Sequence, residues 1–218
     1  MRLDKKFLAK LLGVSESDIT GITGPSFTLT NAPDGIVSFK NLIHERLKKK
    51  VTTLATVLCA EDDLGKIVRA HIHIEHELQD FIYFAAPNPT QLKPFKNMEF
   101  SEKVQLALML GLNPELKPAL NATGTLRNNF SHRLEMKLGK EEAKNLVATL
   151  TPSARQRCQT LLRDTVSALP ETSQLTGEGL SYFEVQSQVM AFFVQLFDEV
   201  AQERHRLAFQ KLEQMALH

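Results

Sequence analysis

Tryptophan is absent from the 218-residue sequence and tyrosine occurs only 2 times, whereas phenylalanine occurs 13 times. Proteins that bind single-stranded nucleic acid without sequence preference stack the bases on exposed aromatic side chains. The composition therefore favours phenylalanine as core filling and argues against a stacking surface of that kind. Apolar residues make up 43% of the chain and charged residues 23%, which is typical of a globular protein.

An excess of charge of one sign is also lacking. The 26 lysines and arginines nearly balance the 25 acidic residues, and the formal net charge is +1. Stable binding of duplex DNA requires a basic face that neutralises several phosphates. The local basic groups are interpreted as solvated helix edges; they are Arg46 with Lys48 to Lys50, Arg155 with Arg157 and Arg163, and Arg204 with Arg206. Direct binding of duplex DNA is therefore not expected.

Paired cysteines and long apolar runs are missing as well. Cys59 and Cys158 have no partner spacing, which is typical of a protein from a reducing compartment. No apolar run follows the basic N-terminus, and no window approaches the length of a membrane span. We expect a cytoplasmic protein that does not enter a membrane.

Glycine and proline are concentrated near the N-terminus, and this concentration divides the chain. Residues 1–35 are predicted to be an appendage, with a short helix over 5–12 and an irregular lead-in over 20–35. Residues 36–218 are predicted to be one all-α domain, because apolar residues recur there at three- and four-residue intervals. Thr151 and Pro152 are a strong helix start signal. The predicted helices span 37–49, 51–60, 64–85, 100–110, 118–137, 140–150, 152–169 and 180–216.

The last predicted helix is long and carries a broad apolar stripe. The stripe consists of Val185, Val189, Phe192, Phe193, Leu196, Phe197 and Val200. Two interpretations remain open. The stripe packs into the core while the polar tail from Arg204 onwards projects into solvent, or part of the stripe forms a dimer contact.

Glu75 lies on the apolar side of the helix predicted over 64–85. That side consists of Leu64, Ile67, Val68, Ile74, Leu78, Phe81 and Ile82. A carboxylate among core residues is costly unless it is paired and hydrogen-bonded. His71, one turn earlier, can supply one bond, and Arg127 is predicted to reach inward as the cation. We therefore assign Glu75 and His71 a structural role behind the candidate site.

Three closely spaced histidines on the same helix raise the question of a metal site. His73 and His76 project away from His71, together with Glu77, so the histidines do not share a face. No second group of histidine or acidic residues completes a coordination shell. We expect His73 and His76 to be exposed, and we expect no metal or other cofactor.

The segment Arg127-Asn128-Asn129-Phe130-Ser131-His132 is chemically the most suggestive part of the sequence. On a helix, Leu126 and Phe130 face the core. Arg127 and His132 then flank a polar strip, and Asn128 lies one turn before His132, where it can orient the imidazole.

This segment resembles the R-N-x-x-x-H signature of the HEPN superfamily, a group of helical domains that includes many RNA-cleaving toxins and defence nucleases. Two further stretches are similar to its MtlR (mannitol operon repressor) branch. They are Ile67-Val68-Arg69 leading into Ile74-Glu75-His76-Glu77-Leu78, and Phe100-Ser101-Glu102-Lys103-Val104-Gln105-Leu106 followed by Gly111-Leu112. The resemblance covers roughly residues 50–216 and leaves residues 1–35 outside.

The resemblance implies a HEPN-like helical bundle and a metal-independent endoribonuclease of toxin or defence type. Its catalytic residues would be Arg127, Asn128 and His132, and two protomers would pool their motifs in one groove. The implied partners are a second copy of the chain, RNA, and a cognate antitoxin or regulatory protein. The alternative is a non-catalytic MtlR-like transcriptional regulator or scaffold that acts through protein partners. A third reading is a helical interaction module that docks through its last helix.

Overall fold

The computed structural model describes residue 9 and residues 15–23, 26–29, 37–88, 97–132, 138–167 and 178–216. Side chains are described at residue 9 and over residues 15–17, 44–88, 97–131, 138–163, 181–208 and 210. Apart from Ala9, the helix predicted over 5–12 lies outside these residues. Among the described residues, no helix is both long enough and apolar enough to cross a bilayer.

The lead-in to the helical domain contains a small antiparallel sheet instead of irregular chain. Its strands are β1 (Ile19–Thr23), β2 (Ser26–Leu29) and β3 (Val37–Ser38), in the order β1-β2-β3. The pairing of β1 with β2 shifts register between Ile19 and Gly21. Gly21, one of the glycines of this segment, therefore lies within a strand, at the register shift.

From Phe39 onwards the described chain is helical, which confirms the predicted all-α class, the long C-terminal helix and the N-terminal appendage. The helices are α1 (Phe39–Cys59), α2 (Asp63–Ala85), α3 (Phe100–Met109), α4 (Lys117–His132), α5 (Lys140–Ala148), α6 (Pro152–Ser167) and α7 (Glu178–Ala216). A single 3₁₀ turn, Pro114–Leu116, precedes α4. The predicted break near residue 50 is absent, so one continuous helix replaces two.

Local sequence signals account for several helix ends. The Asp62 carboxylate accepts a hydrogen bond from Gly65 N at 2.7 Å and caps α2, while Thr151 Oγ1 accepts from Ala154 N at 3.2 Å and caps α6. Helix α3 ends at Met109, and Gly111 follows it with a φ of 97°, in the left-handed region that favours glycine. Arg155 Nη2 donates to the carbonyl of Ala148 at 2.7 Å, which satisfies the C-terminal end of α5.

Helices α2 and α7 form the centre of the bundle. Helix α2 packs against α1, α3, α4 and α7, and α7 packs in addition against α5 and α6. All seven residues of the predicted α7 stripe are buried within one chain. No apolar stripe is therefore left on α7 between Val185 and Val200 for a dimer contact.

A buried ionic cluster joins α1, α2 and α7. Glu77 forms ion pairs with Lys50 of α1 and with Arg204 of α7, and the distance from Arg204 Nε to Glu77 Oε2 is 2.9 Å. The exposed fractions are only 4% for Glu77 and 3% for Arg204. His205 and Ala208 are buried beside them.

The cluster corrects two predictions from the sequence. Glu77 was expected on the exposed side of its helix, and the polar tail of the last helix was expected in solvent. Glu77 is buried because α2 is covered on more than one side. In the tail, Arg204, His205 and Ala208 are buried, whereas Arg206 and Gln210 are exposed as expected. The residue after Val200 on the same α7 face is Arg204, followed by Ala208, so the core face continues through a charged position.

Candidate functional site

A cleft of about 650 Å³ opens between α2, the start of α3 and α4. Its size lies in the range of roughly 300–1,000 Å³ that is usual for small-ligand pockets. The lining combines one arginine with amides, hydroxyls, an imidazole, two carboxylates and two apolar side chains. It is formed by His71, Glu75, Met98, Glu99, Phe100, Ser101, Asn121, Gly124, Thr125, Arg127 and Asn128.

One wall of the cleft is built by aromatic packing. The His71 ring lies against the Phe100 ring, with centroids 4.4 Å apart and planes tilted by 49°. Gly124 leaves room for Phe100 to approach α4, because a Cβ at this position would come within 3.1 Å of the Phe100 ring. The absence of a side chain at Gly124 therefore lets the wall close tightly.

The carboxylate of Glu75 in the cleft lining pairs with a different cation from Arg127, the one predicted. Glu75 forms its ion pair with Lys103 of α3, and Lys103 is only 3% exposed. Arg127 lines the same cleft but forms no ion pair with Glu75 in the described structure, so that prediction is wrong. Lysine 103 lies on the core-facing line of α3, between Phe100 and Ala107, and reaches Glu75 from there.

His71 is a buried histidine whose pKa lies below the ordinary histidine value. Burial lowers its pKa most, Glu75 opposes that shift, and the charges of Arg127 and Lys103 lower the pKa further. Its Nδ1 lies 3.7 Å from Glu75 Oε2, which is too long for a hydrogen bond. His71 therefore packs against the cleft wall and does not hold Glu75 directly.

Arg127 and Asn128 lie exposed at the mouth of the cleft. Arg127 Nη1 donates a hydrogen bond to Asn128 Oδ1 at 3.1 Å, so the amide oxygen orients the guanidinium. Leu126 and Phe130 on the opposite side are buried, as predicted. The core-facing side chains thus fix the rotation of α4 that presents Arg127 and Asn128 to the cleft.

The third predicted catalytic residue is His132, the last residue of α4. Its side chain lies outside the described residues. Its backbone lies one helical turn beyond Asn128 on the same face. The predicted orientation of the imidazole by Asn128 stays a prediction.

The remaining histidines of α2 do not form a metal site. His76 is exposed, as expected, whereas His73 is half-buried, and the centroids of the His73 and Phe197 rings lie 6.3 Å apart with their planes at 83°. The pKa of His73 is lowered, and burial is the largest cause of that shift. Within the described part of the chain, no three histidine, cysteine or acidic side chains lie close enough to hold a metal ion.

Sequence reasoning missed several members of the cleft. Phe100 and Asn121, which line the cleft, and Lys103, which binds Glu75 from behind it, come from two different helices, and only tertiary packing brings them together. A usable signal existed for Lys103, because a lysine three residues after Phe100 interrupts an apolar line. The signal for Asn121 and Thr125 was weaker. Together with Asn128, these polar residues recur at helical spacing along one face of α4.

Comparisons with protein-family models, with curated proteins and with solved structures find no match to this chain.

Proposed function

We propose that this chain is a HEPN-like, RNA-directed protein that cleaves RNA without a metal ion. Arg127, Asn128 and His132 would act on the ribose-phosphate backbone. The observation that carries the proposal is the exposure of Arg127 and Asn128, bonded to each other, at the mouth of a cleft large enough for a nucleotide. Residue 132 continues the same helix face.

The reaction requires a base, an acid and a cation near the scissile phosphate. His132 would remove the proton from a ribose 2′-hydroxyl, a role that suits imidazole because it can both accept and donate a proton near neutral pH. The 2′-oxygen would then attack the phosphorus, and the bond to the 5′-oxygen would break as that oxygen takes up a proton from a water molecule, which acts as the acid. Arg127 would stabilise the charge that develops on the phosphoryl oxygens. The products would be a 2′,3′-cyclic phosphate and a 5′-hydroxyl.

The test is cleavage of total RNA and transfer RNA by purified protein in EDTA. We expect discrete fragments with 2′,3′-cyclic phosphate ends, and no cleavage of DNA, which lacks the attacking hydroxyl. His132→Ala should lower the cleavage rate about 100-fold or more, the range for a lost general acid-base group. Arg127→Ala should cost about 100-fold by loss of charge stabilisation.

Asn129→Ala is the matched control for these variants. Asn129 is exposed and belongs to the same segment, but it does not line the cleft. It should therefore cleave at the wild-type rate. Equal activity of wild type and His132→Ala would reveal a contaminating nuclease. An inactive but folded wild type would favour the MtlR-like regulator or scaffold.

We also propose that the active form is a homodimer, because one arginine and one histidine make only half of the paired site that the HEPN resemblance implies. Sedimentation of the wild type at micromolar concentration should show a dimer. Mixing inactive Arg127→Ala with inactive His132→Ala should restore activity if each composite site takes residues from both protomers. A monomer with full cleavage activity would contradict this part of the proposal.

A further inference from the structure

Two side chains on the cleft face of α4 have hydrogen-bonding groups that the protein does not use. Helical threonines commonly return the hydroxyl to the carbonyl four residues earlier, as Thr123 does to Ala119 at 3.0 Å and Thr160 does to Gln156 at 3.2 Å. Among the described contacts, Thr125 makes no such bond, and the Asn121 amide has no partner either. Both side chains line the cleft.

These groups lie in line with the proposed catalytic segment. Asn121, Thr125 and Asn128 occupy one face of α4, at spacings of four and three residues. The stretch from Asn121 to Asn128 spans about 10 Å along the helix axis, since the rise is about 1.5 Å per residue. That length matches one nucleotide, with its base at Asn121 and Thr125 and its phosphate near Arg127.

Across the cleft from α4, two apolar side chains line the cleft beside the polar Glu99 and Ser101. Met98 and Phe100 are half-buried and face the polar strip of α4. Apolar side chains facing amides and a hydroxyl suit a flat heterocycle, which needs contact on its faces and hydrogen bonds at its edge. Proteins recognise unpaired RNA bases by this combination.

The charge of the cleft also favours a single nucleotide. Arg127 is the one cationic side chain among the described residues that line it, while Glu75 and Glu99 are acidic. Lys103 lies behind the cleft and is bound to Glu75. A polyphosphate would find too little positive charge in the cleft to balance its own charge. A single backbone phosphate needs only Arg127, and an uncharged base needs no cation.

We infer that the cleft binds one unpaired RNA nucleotide and that Asn121 and Thr125 read its base. The inference rests on the proposed RNA-directed function, because it names how that same site selects its substrate. Asn121 supplies both a donor and an acceptor, and the Thr125 hydroxyl supplies either. The site therefore discriminates among bases by the pattern of groups at the base edge.

The experiment measures binding separately from cleavage. Fluorescence anisotropy in EDTA follows binding of fluorescein-labelled oligoribonucleotides of adenosine, cytidine or uridine to the His132→Ala protein. We expect one base to be preferred. Adding Asn121→Ala or Thr125→Val should weaken binding of the preferred RNA by about three- to tenfold each, the effect of one lost hydrogen bond, and should flatten the preference.

Two controls separate base reading from general RNA affinity. Asn129→Ala, added to the same background, should bind all three RNAs as the parent does. Arg127→Ala should weaken binding of all three alike and reduce its salt dependence, as loss of a phosphate contact does, whereas Asn121→Ala should leave the salt dependence unchanged. Circular dichroism confirms that each variant is folded.

The outcomes distinguish this inference from the proposed function. RNA cleavage by the wild type with no base preference, or with a preference that Asn121→Ala and Thr125→Val leave intact, overturns the inference and keeps the nuclease. A base preference that both variants abolish, in a protein that never cleaves RNA, supports the inference and overturns the nuclease. Absence of RNA binding overturns both.

Discussion

Replacing Glu77 with alanine is expected to lower the free energy of unfolding by about 3–5 kcal/mol, the cost of removing one partner of a buried ion pair. Arg204 would keep its charge in the core with no carboxylate beside it, since only 3% of its surface is exposed. Lys50 would suffer less, because nearly half of its side chain is exposed and can be solvated. Urea unfolding followed by circular dichroism measures the change.

Two variants test the cause of that loss. Glu203→Ala removes another glutamate that binds an arginine of α7, but its partner Arg206 is largely exposed, so we expect a change below about 1 kcal/mol. The double variant Glu77→Leu with Arg204→Leu removes both buried charges and should recover most of the stability. If the double variant is as unstable as Glu77→Ala, packing and not charge accounts for the effect.

Acidification is expected to destabilise the wild type more than the His205→Gln variant, by about 3 kcal/mol between pH 6.5 and pH 4. Burial first, then the charges of Arg204 and Lys50, lower the pKa of His205 from 6.5 to about 3. Below pH 6.5 the unfolded chain therefore binds a proton at this residue that the folded chain does not bind. Each pH unit in that window costs about 1.4 kcal/mol.

The contribution of uncharged His205 to the free energy of unfolding is fully present above pH 6.5 and falls until the pH approaches 3. Glutamine suits the comparison because its amide oxygen can accept the hydrogen bond that Arg204 Nη2 makes with His205 Nε2 at 3.1 Å. Burial raises the pKa of Asp198 and Glu199, which act in the opposite direction. The difference between the two proteins cancels these contributions, and parallel pH profiles would contradict the assignment to His205.

The helical part of the fold was predictable because its signals are local. Caps such as Asp62 and Thr151 and the apolar periodicity of α7 depend on residues a few positions apart. The sheet β1-β2-β3 was missed, since its strands are short and gain stability only by pairing with one another. No pattern among neighbouring residues in the sequence indicates that the strands pair.

The candidate site was only partly predictable. Arg127 and Asn128 were identified from their order in the sequence, and both lie at the cleft. The cation for Glu75 was assigned wrongly, because a helical wheel states which side of α2 a residue occupies but not which neighbour covers it. Glu77 was misjudged for a related reason, since a central helix has several buried sides and a single apolar arc describes only one.

Glu75 and Glu77 are two residues apart, and their side chains leave α2 in different directions. One binds Lys103 of α3, and the other binds Lys50 of α1 and Arg204 of α7. Because these carboxylates pair with cations on three neighbouring helices, the ion pairs favour one rotation of α2 in addition to the apolar packing. The same rotation sets where the His71 ring lies, so the charges of the Glu77 cluster, which lie away from the cleft, contribute to the position of its wall.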